Sequence, residues 1–203
     1  MSRKEHWENV FATKQETEVS WYQPSPKTSL DFISKLNLQK EAKIIDVGGG
    51  DSYLVDAILE RGFTNITLLD ISDKAIERIQ NRLGAKAKDV TFIVSDVLDF
   101  TPIETYDLWH DRASFHFQTE ESQIQKYADI VANAVAANGH LIIGTFSENG
   151  PKKCSGLDIT QYNEASMKAV FETHFESLNS ITEDHTTPFD TIQNFIFCSL
   201  KKK

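Results

Sequence analysis

Two acids and a run of glycines are the residues of this chain whose types and spacing most directly suggest chemistry. Asp46 stands two residues before Gly48-Gly49-Gly50, and Asp70 closes the next apolar run, Ile66-Thr67-Leu68-Leu69. Glycines at such a turn permit positive φ and remove the Cβ atoms that would keep a ligand from the backbone. A helix beginning after the turn, which Ser52 can cap, offers amide donors and the positive end of a macrodipole. Acids at the carboxyl ends of two adjacent parallel strands suit the two hydroxyls of a ribose. The constellation predicts a nucleoside-cofactor site.

Nicotinamide dinucleotides are one candidate, and their fingerprint needs glycines at relative positions one, three and six. Gly48 and Gly50 fit, but Tyr53 occupies the third place, and Asp51 puts a negative charge where a pyrophosphate would sit. The Tyr-x-x-x-Lys pair of short-chain nicotinamide oxidoreductases is also absent, since no tyrosine has a lysine four residues on. A ligand without phosphates and with a cationic centre fits better. S-adenosylmethionine is such a ligand. A non-catalytic module that only binds it is the other alternative.

The stretch Ile44-Ile45-Asp46-Val47-Gly48-Gly49-Gly50-Asp51-Ser52 resembles the first motif of class I S-adenosylmethionine-dependent methyltransferases. Three further segments are similar in order and spacing: Leu68 to Ser72, Val94 to Leu98, and Tyr106 to His110. The resemblance covers about residues 40–146. Its one departure is Gly49, where many relatives carry Cys or another small residue. It implies that Asp46, Gly48, Gly49 and Gly50 border the cofactor, and that Asp70, followed by Ile71, holds the ribose hydroxyls. It further implies that Asp96 accepts from the adenine amino group while the Val97 amide faces the ring. The aromatic opening region, from Trp7 to Tyr22, resembles the amino-terminal lids of such enzymes, which would bring Trp7 and Trp21 to the cofactor. The implied reaction moves a methyl group to a small-molecule or protein nucleophile.

Methyl transfer is an in-line displacement on a carbon already activated by sulfonium, so positioning and desolvation matter most. A base matters only where the acceptor arrives protonated. Candidates follow the fourth strand in His110-Asp111-Arg112-Ala113-Ser114-Phe115-His116-Phe117. His116, His110 and Asp111 are the catalytic candidates, since histidine titrates in the useful range. Arg112 is expected to pair with Asp111, the alternative being an anionic substrate. The Asn/Asp-Pro-Pro-aromatic run of enzymes that methylate the amino group of adenine or glutamine is missing here. Cys154 reads as an ordinary loop thiol. His110, Asp111, His116, Cys154 and His185 follow no zinc spacing, and no metal is expected.

The elements that must position these groups alternate. A helix follows Ser25-Pro26, a cap and a first-turn proline, with Leu30, Ile33 and Leu36 on one face. The pattern then predicts strand 43–47, helix 52–61, strand 65–69, helix 73–83, and strands 90–94 and 105–110. A long helix over 119–136 is expected to end at Asn138-Gly139 before strand 140–146. After a loop and a helix near 163–173, strands near 175–183 and 191–199 are joined by a link short enough to demand an antiparallel hairpin. The expected fold is α/β: a Rossmann-like, doubly wound seven-stranded sheet, mostly parallel with one antiparallel C-terminal strand. Residues 1–203 read as a single domain, with a lid segment at 1–25, a cofactor core at about 40–146, and a substrate loop and hairpin at 147–203.

The formal net charge of −9 disfavours a nucleic-acid partner, which takes a basic surface. No apolar run approaches a membrane span, the N-terminus has no signal-peptide core, and two cysteines make no disulfide framework. The cytoplasm is the expected compartment, and the sequence carries no sign of the oligomeric state.

Overall fold

The apolar run at 43–47 forms strand β1 (Lys43–Val47), and its residues divide between two cores. Ile44 packs with helices α2 (Lys27–Lys35), α3 (Leu54–Glu60) and α4 (Asp73–Leu83) on one face of the sheet. Ile45 and Val47 pack with α5 (Glu121–Ala134) and α6 (Glu164–Phe171) on the other. Burial of both strand faces is what a parallel sheet covered by crossover helices requires. A computed structural model describes all residues, Met1–Lys203.

The remaining strands of the sheet are β2 (Asn65–Asp70), β3 (Val90–Val94), β4 (Tyr106–Arg112), β5 (Val135–Phe146), β8 (Phe175–Thr186) and β9 (Ile192–Lys202). Their order is β3-β2-β1-β4-β5-β9-β8, and only β9 runs against the rest. The expected sheet with one reversed C-terminal strand is therefore present. Strand order reverses between β1 and β4, which opens a crevice outside their carboxyl ends. A short hairpin, β6 (Lys153–Cys154) with β7 (Leu157–Asp158), projects from the segment that follows β5. Helix α1 (Arg3–Thr13) starts with a capping box between Ser2 and Glu5 and lies against α4.

Several local expectations shift. Tyr53, not Ser52, is the N-cap of α3; the Ser52 hydroxyl reaches only the Leu54 amide, at 3.4 Å. Pro26 itself stands at the N-cap of α2, with no side-chain cap from Ser25. Helix α5 stops at Ala134, because Val135 already pairs with Tyr106 at the start of β5. Asn138, at φ +62°, thus marks an irregularity inside β5 and not a helix end. Ser72 does cap α4, accepting from the Ala75 amide at 3.2 Å.

Candidate active site

The glycine turn after β1 is built around this chain's own groups. Gly48 has φ +63° and Gly50 φ +55°, conformations that disfavour a side chain. A Cβ on Gly48 would fall 2.3 Å from the Ser114 Cβ, and one on Gly50 would fall 3.0 Å from the Phe11 ring. The bare turn therefore lets the segment after β4 and the helix α1 close in on it. From α4, Arg78 pairs with Asp51 at 3.0 Å, and Arg82 donates to the Asp51 carbonyl at 2.6 Å. Asp51 is thus a compensated charge, and the expected repulsion of a pyrophosphate loses force. Tyr53 turns its hydroxyl to Glu16 at 2.9 Å, and the Arg82 guanidinium lies 4.3 Å from the centre of its ring.

Three strand-end acids stand over this turn. Asp70 ends β2, and its carboxylate accepts from the Gly50 amide at 2.9 Å and the Ser72 amide at 2.8 Å. Burial pushes its pKa up to about 7, against the pull of those two amides, with Asp51 and Asp46 adding repulsion. Asp96 accepts from the Leu98 amide at 2.9 Å and lies 3.7 Å from Arg3. Asp46 pairs in register with His110 across β1 and β4, so both side chains leave the same sheet face. The Asp46 Oδ1 is hydrogen-bonded to His110 Nδ1 at 2.7 Å, and His110 Nε2 is hydrogen-bonded to Ser29 Oγ at 2.8 Å. Asp46 Oδ2 is buried and has no partner.

Every residue expected to hold the cofactor, from Trp7 and Trp21 to Asp96 and Val97, lines a single cavity at this edge. The aromatic segment forms its roof: the Trp7 ring lies 5.7 Å from Trp21 and 5.2 Å from Phe117, and Phe11 lies 6.5 Å from Trp21. Glu8 anchors this roof by accepting from the Asp73 amide at 2.6 Å, at the start of α4.

The catalytic candidates part company. His110 lines the cavity, but both its nitrogens are engaged by Asp46 and Ser29. His116 is fully buried, packs 4.8 Å from Phe146, and is absent from the cavity wall. Burial and the Arg112 charge push its pKa down to about 3, so it is neutral at physiological pH and a poor base. Asp111 also lies away from the cavity, accepting from Tyr127 at 2.6 Å and from the Ser114 and Phe115 amides. The expected Arg112–Asp111 pair does not form; Arg112 donates instead to the Trp21 carbonyl. Cys154, on β6, does line the cavity, with burial pushing its thiol up to about 12. No three His, Cys, Asp or Glu side chains are grouped to hold a metal ion. Ser29, Arg3 and Gln118 line the cavity too, although nothing in the sequence pattern places them there. Their only signal is spatial, since Ser29 meets His110 across 81 positions of chain.

A crevice with acids around a glycine turn, an unpaired carboxylate oxygen and an aromatic roof fits a ligand with a cationic end, sugar hydroxyls and an amino-bearing ring. Comparison with known proteins gives the same answer. Residues 38–193 match the family described as methyltransferase domain. The chain is 23% identical over 158 residues to EEF1A lysine methyltransferase 2 of Danio rerio, covering 70% of this chain and 68% of that protein. It is 34% identical over 88 residues to malonyl-[acyl-carrier protein] O-methyltransferase 1 of Ilyobacter polytropus, covering 42% of this chain and 32% of that protein. It matches 17% of the length of the eEF1A lysine and N-terminal methyltransferase of Mus musculus. Among solved structures, the N-methyltransferase NodS of Bradyrhizobium japonicum WM9, in complex with S-adenosyl-l-homocysteine, superposes with a TM-score of 0.75 at 13% identity, over 99% of each chain. A SAM-dependent methyltransferase from Anabaena variabilis superposes with a TM-score of 0.77 at 13% identity, over 100% of this chain and 96% of that one. These structural likenesses show the fold, and the family match excludes the nicotinamide alternative. The chain belongs to the class I S-adenosylmethionine-dependent methyltransferases.

Proposed function

We propose that this protein transfers the methyl group of S-adenosylmethionine to a small-molecule or protein nucleophile across the cavity between β1 and β4. The observation that carries the reading is the convergence of Asp46, Asp70 and Asp96 on one cavity over the Gly48-Gly49-Gly50 turn. Asp70 takes the ribose hydroxyls, and Asp96 with the Val97 amide takes the adenine edge, with Ile71 against the ring. Asp46 Oδ2, buried without a partner, takes the cofactor's α-amino group, which supplies the positive charge that oxygen lacks. Trp7, Phe11 and Trp21 cover the cofactor, exclude water and offer π faces to the sulfonium. No free base lines the cavity beside these groups, which favours an acceptor whose attacking atom is already unprotonated.

The curated relatives named above are, by name, a lysine methyltransferase, a lysine and N-terminal methyltransferase and a malonyl-[acyl-carrier protein] O-methyltransferase, and this range leaves the acceptor class open for this chain. We treat residues 1–203 as one catalytic unit: lid at 1–25, cofactor core at about 40–146, and acceptor elements at 147–203. The acidic balance argues against nucleic acid. No helix is long and apolar enough to cross a membrane, and the two free, buried thiols suit a cytoplasmic setting. The experiment is incubation of the purified protein with methyl-labelled S-adenosylmethionine and panels of peptides and metabolites. Labelled product that disappears in Asp70→Ala supports the reading. S-adenosylhomocysteine binding without transfer to any panel member would favour a module that only binds the cofactor.

A further inference from the structure

The end of β4 places a charged group in the cavity wall that the cofactor roles leave unused. Arg112 lines the cavity, with its guanidinium 4.8 Å from the centroid of the Phe195 ring. Its Nη1 donates to the Trp21 carbonyl at 3.0 Å. Its Nε and Nη2 are buried and have no partner at all. Those two nitrogens form one edge of the guanidinium, whose parallel N–H bonds match the two oxygens of a carboxylate. The Trp21 carbonyl uses the nitrogen on the other side, so the open edge is complete.

No side chain of the surroundings is hydrogen-bonded to this edge. Burial lowers the Arg112 pKa to about 10, which leaves it cationic at neutral pH. Glu183 is the acid that most influences it, yet Glu183 Oε2 accepts from Thr28 and its Oε1 is also unpartnered. His116 and His185 are held neutral, both by burial and by the Arg112 charge. Cys154 stays a thiol. A guanidinium edge buried without a counter-ion costs stability unless something completes it. The cavity is also uneven in charge, with Asp46, Asp70 and Asp96 around the glycine turn, offset there only by Arg3 at 3.7 Å from Asp96, and Arg112 toward Phe195 of β9. A cationic cofactor suits the first end and an anion the second.

We propose that Arg112 anchors the methyl acceptor, and that the acceptor carries a carboxylate which meets the Nε–Nη2 edge in a two-point contact above Phe195. This rests on the methyltransferase reading and names its acceptor class. Arg112 acts here as a binding residue and transfers no proton.

The test uses the full chain saturated with S-adenosylhomocysteine, titrated calorimetrically with benzoate and malonate, with benzamide and malonamide, and with inorganic sulfate. At least one carboxylate should saturate, its amide should not, and sulfate should bind more weakly, which separates a carboxylate subsite from a general oxyanion site. Arg112→Met should weaken the carboxylate about thirtyfold or more, as expected when one partner of a buried charge pair is removed. The same variant should weaken S-adenosylhomocysteine far less, and without carboxylate should melt no lower than the wild type. Arg112→Lys, which keeps the charge without the fork, should fall between the two, and it carries the test if the methionine variant does not fold. Carboxylate binding undiminished in these variants would overturn the anchor, as would no carboxylate binding to the loaded wild type or sulfate binding of equal strength. Failure of the wild type to bind S-adenosylhomocysteine would instead overturn the methyltransferase reading.

Discussion

Asp70 concentrates the electrostatics of the cofactor site in one side chain. Burial raises its pKa to about 7 against the pull of two amides, so the group titrates around neutral pH in the free protein. Ribose hydroxyls donate best to the ionised form, so S-adenosylhomocysteine affinity should rise as pH climbs through about 7, with proton uptake by the buffer. A calorimetric titration repeated in buffers of different ionisation enthalpy measures that proton; an enthalpy independent of buffer would contradict it. The sign for stability is the reverse. A raised carboxyl pKa means the unfolded chain ionises first, so this group's contribution falls as pH rises from about 4 to about 7. The melting temperature of Asp70→Asn should therefore gain on the wild type between pH 5 and pH 8, whatever constant offset the lost acceptor imposes. Gly48 gives a second expectation at this scale. Gly48→Ala should destabilise the fold through both its positive φ and the clash with Ser114, and Ser114→Gly should recover only the second part. Full recovery in thermal melts of the double variant would remove the backbone from the argument. Such groups are legible in the sequence only where local chemistry announces them. An acid beside three glycines is visible in a short window, whereas the side-chain partners of His110 and Asp111 and the carbonyl that Arg112 reaches lie 16 to 91 positions away. Asp111 and His116 look like site residues because they sit beside a strand end. Strand alternation turns Asp111 to the face where Tyr127 waits, and the following turn sends His116 into the core.

Among the elements, α1 is the one proposed to cover the cofactor. Its aromatic side chains roof the cavity, while Glu8 and Arg3 tie it to the body of the protein. Hydrogen exchange with and without S-adenosylhomocysteine should show protection rising across residues 5–25, more than across β3 or α5. Deleting residues 1–25 should cost cofactor affinity more than melting temperature; intact affinity in the truncated protein would make these aromatics core packing only. The alternation of strands and helices is legible because each element of an α/β sheet carries its own period and its own turn residues. Boundaries move where tertiary pairing outweighs local preference, as at Val135, which pairs with Tyr106 and ends α5 early. The segment after β5 reads as a plain loop, and its β6–β7 hairpin escapes the pattern because each strand is two residues long.

For the whole molecule, one sheet with a core on each face should unfold as a single cooperative transition, since neither core survives loss of β1, β2 or β4. S-adenosylhomocysteine should raise that transition by mass action, about 2.7 kcal/mol at a hundredfold excess over Kd. The class of the fold and of the cofactor is legible in the amino-acid sequence, because four ordered motifs lie along the chain at the strand ends that border the crevice. The far wall of the cavity is legible only in Arg112, which the sequence offers as a holder of an anionic substrate, while Ser29 and Cys154 reach the cavity from α2 and β6 without such a signal. The central claim is that the crevice between β1 and β4 takes S-adenosylmethionine with Asp70 on its ribose. Isothermal titration of the wild type and of Asp70→Ala with S-adenosylhomocysteine, alongside NADH, tests it most directly. One saturable S-adenosylhomocysteine site, weakened by about 1–3 kcal/mol in the folded variant, with no NADH binding, is the predicted result. NADH binding in place of S-adenosylhomocysteine, or an affinity untouched by the loss of Asp70, would contradict it.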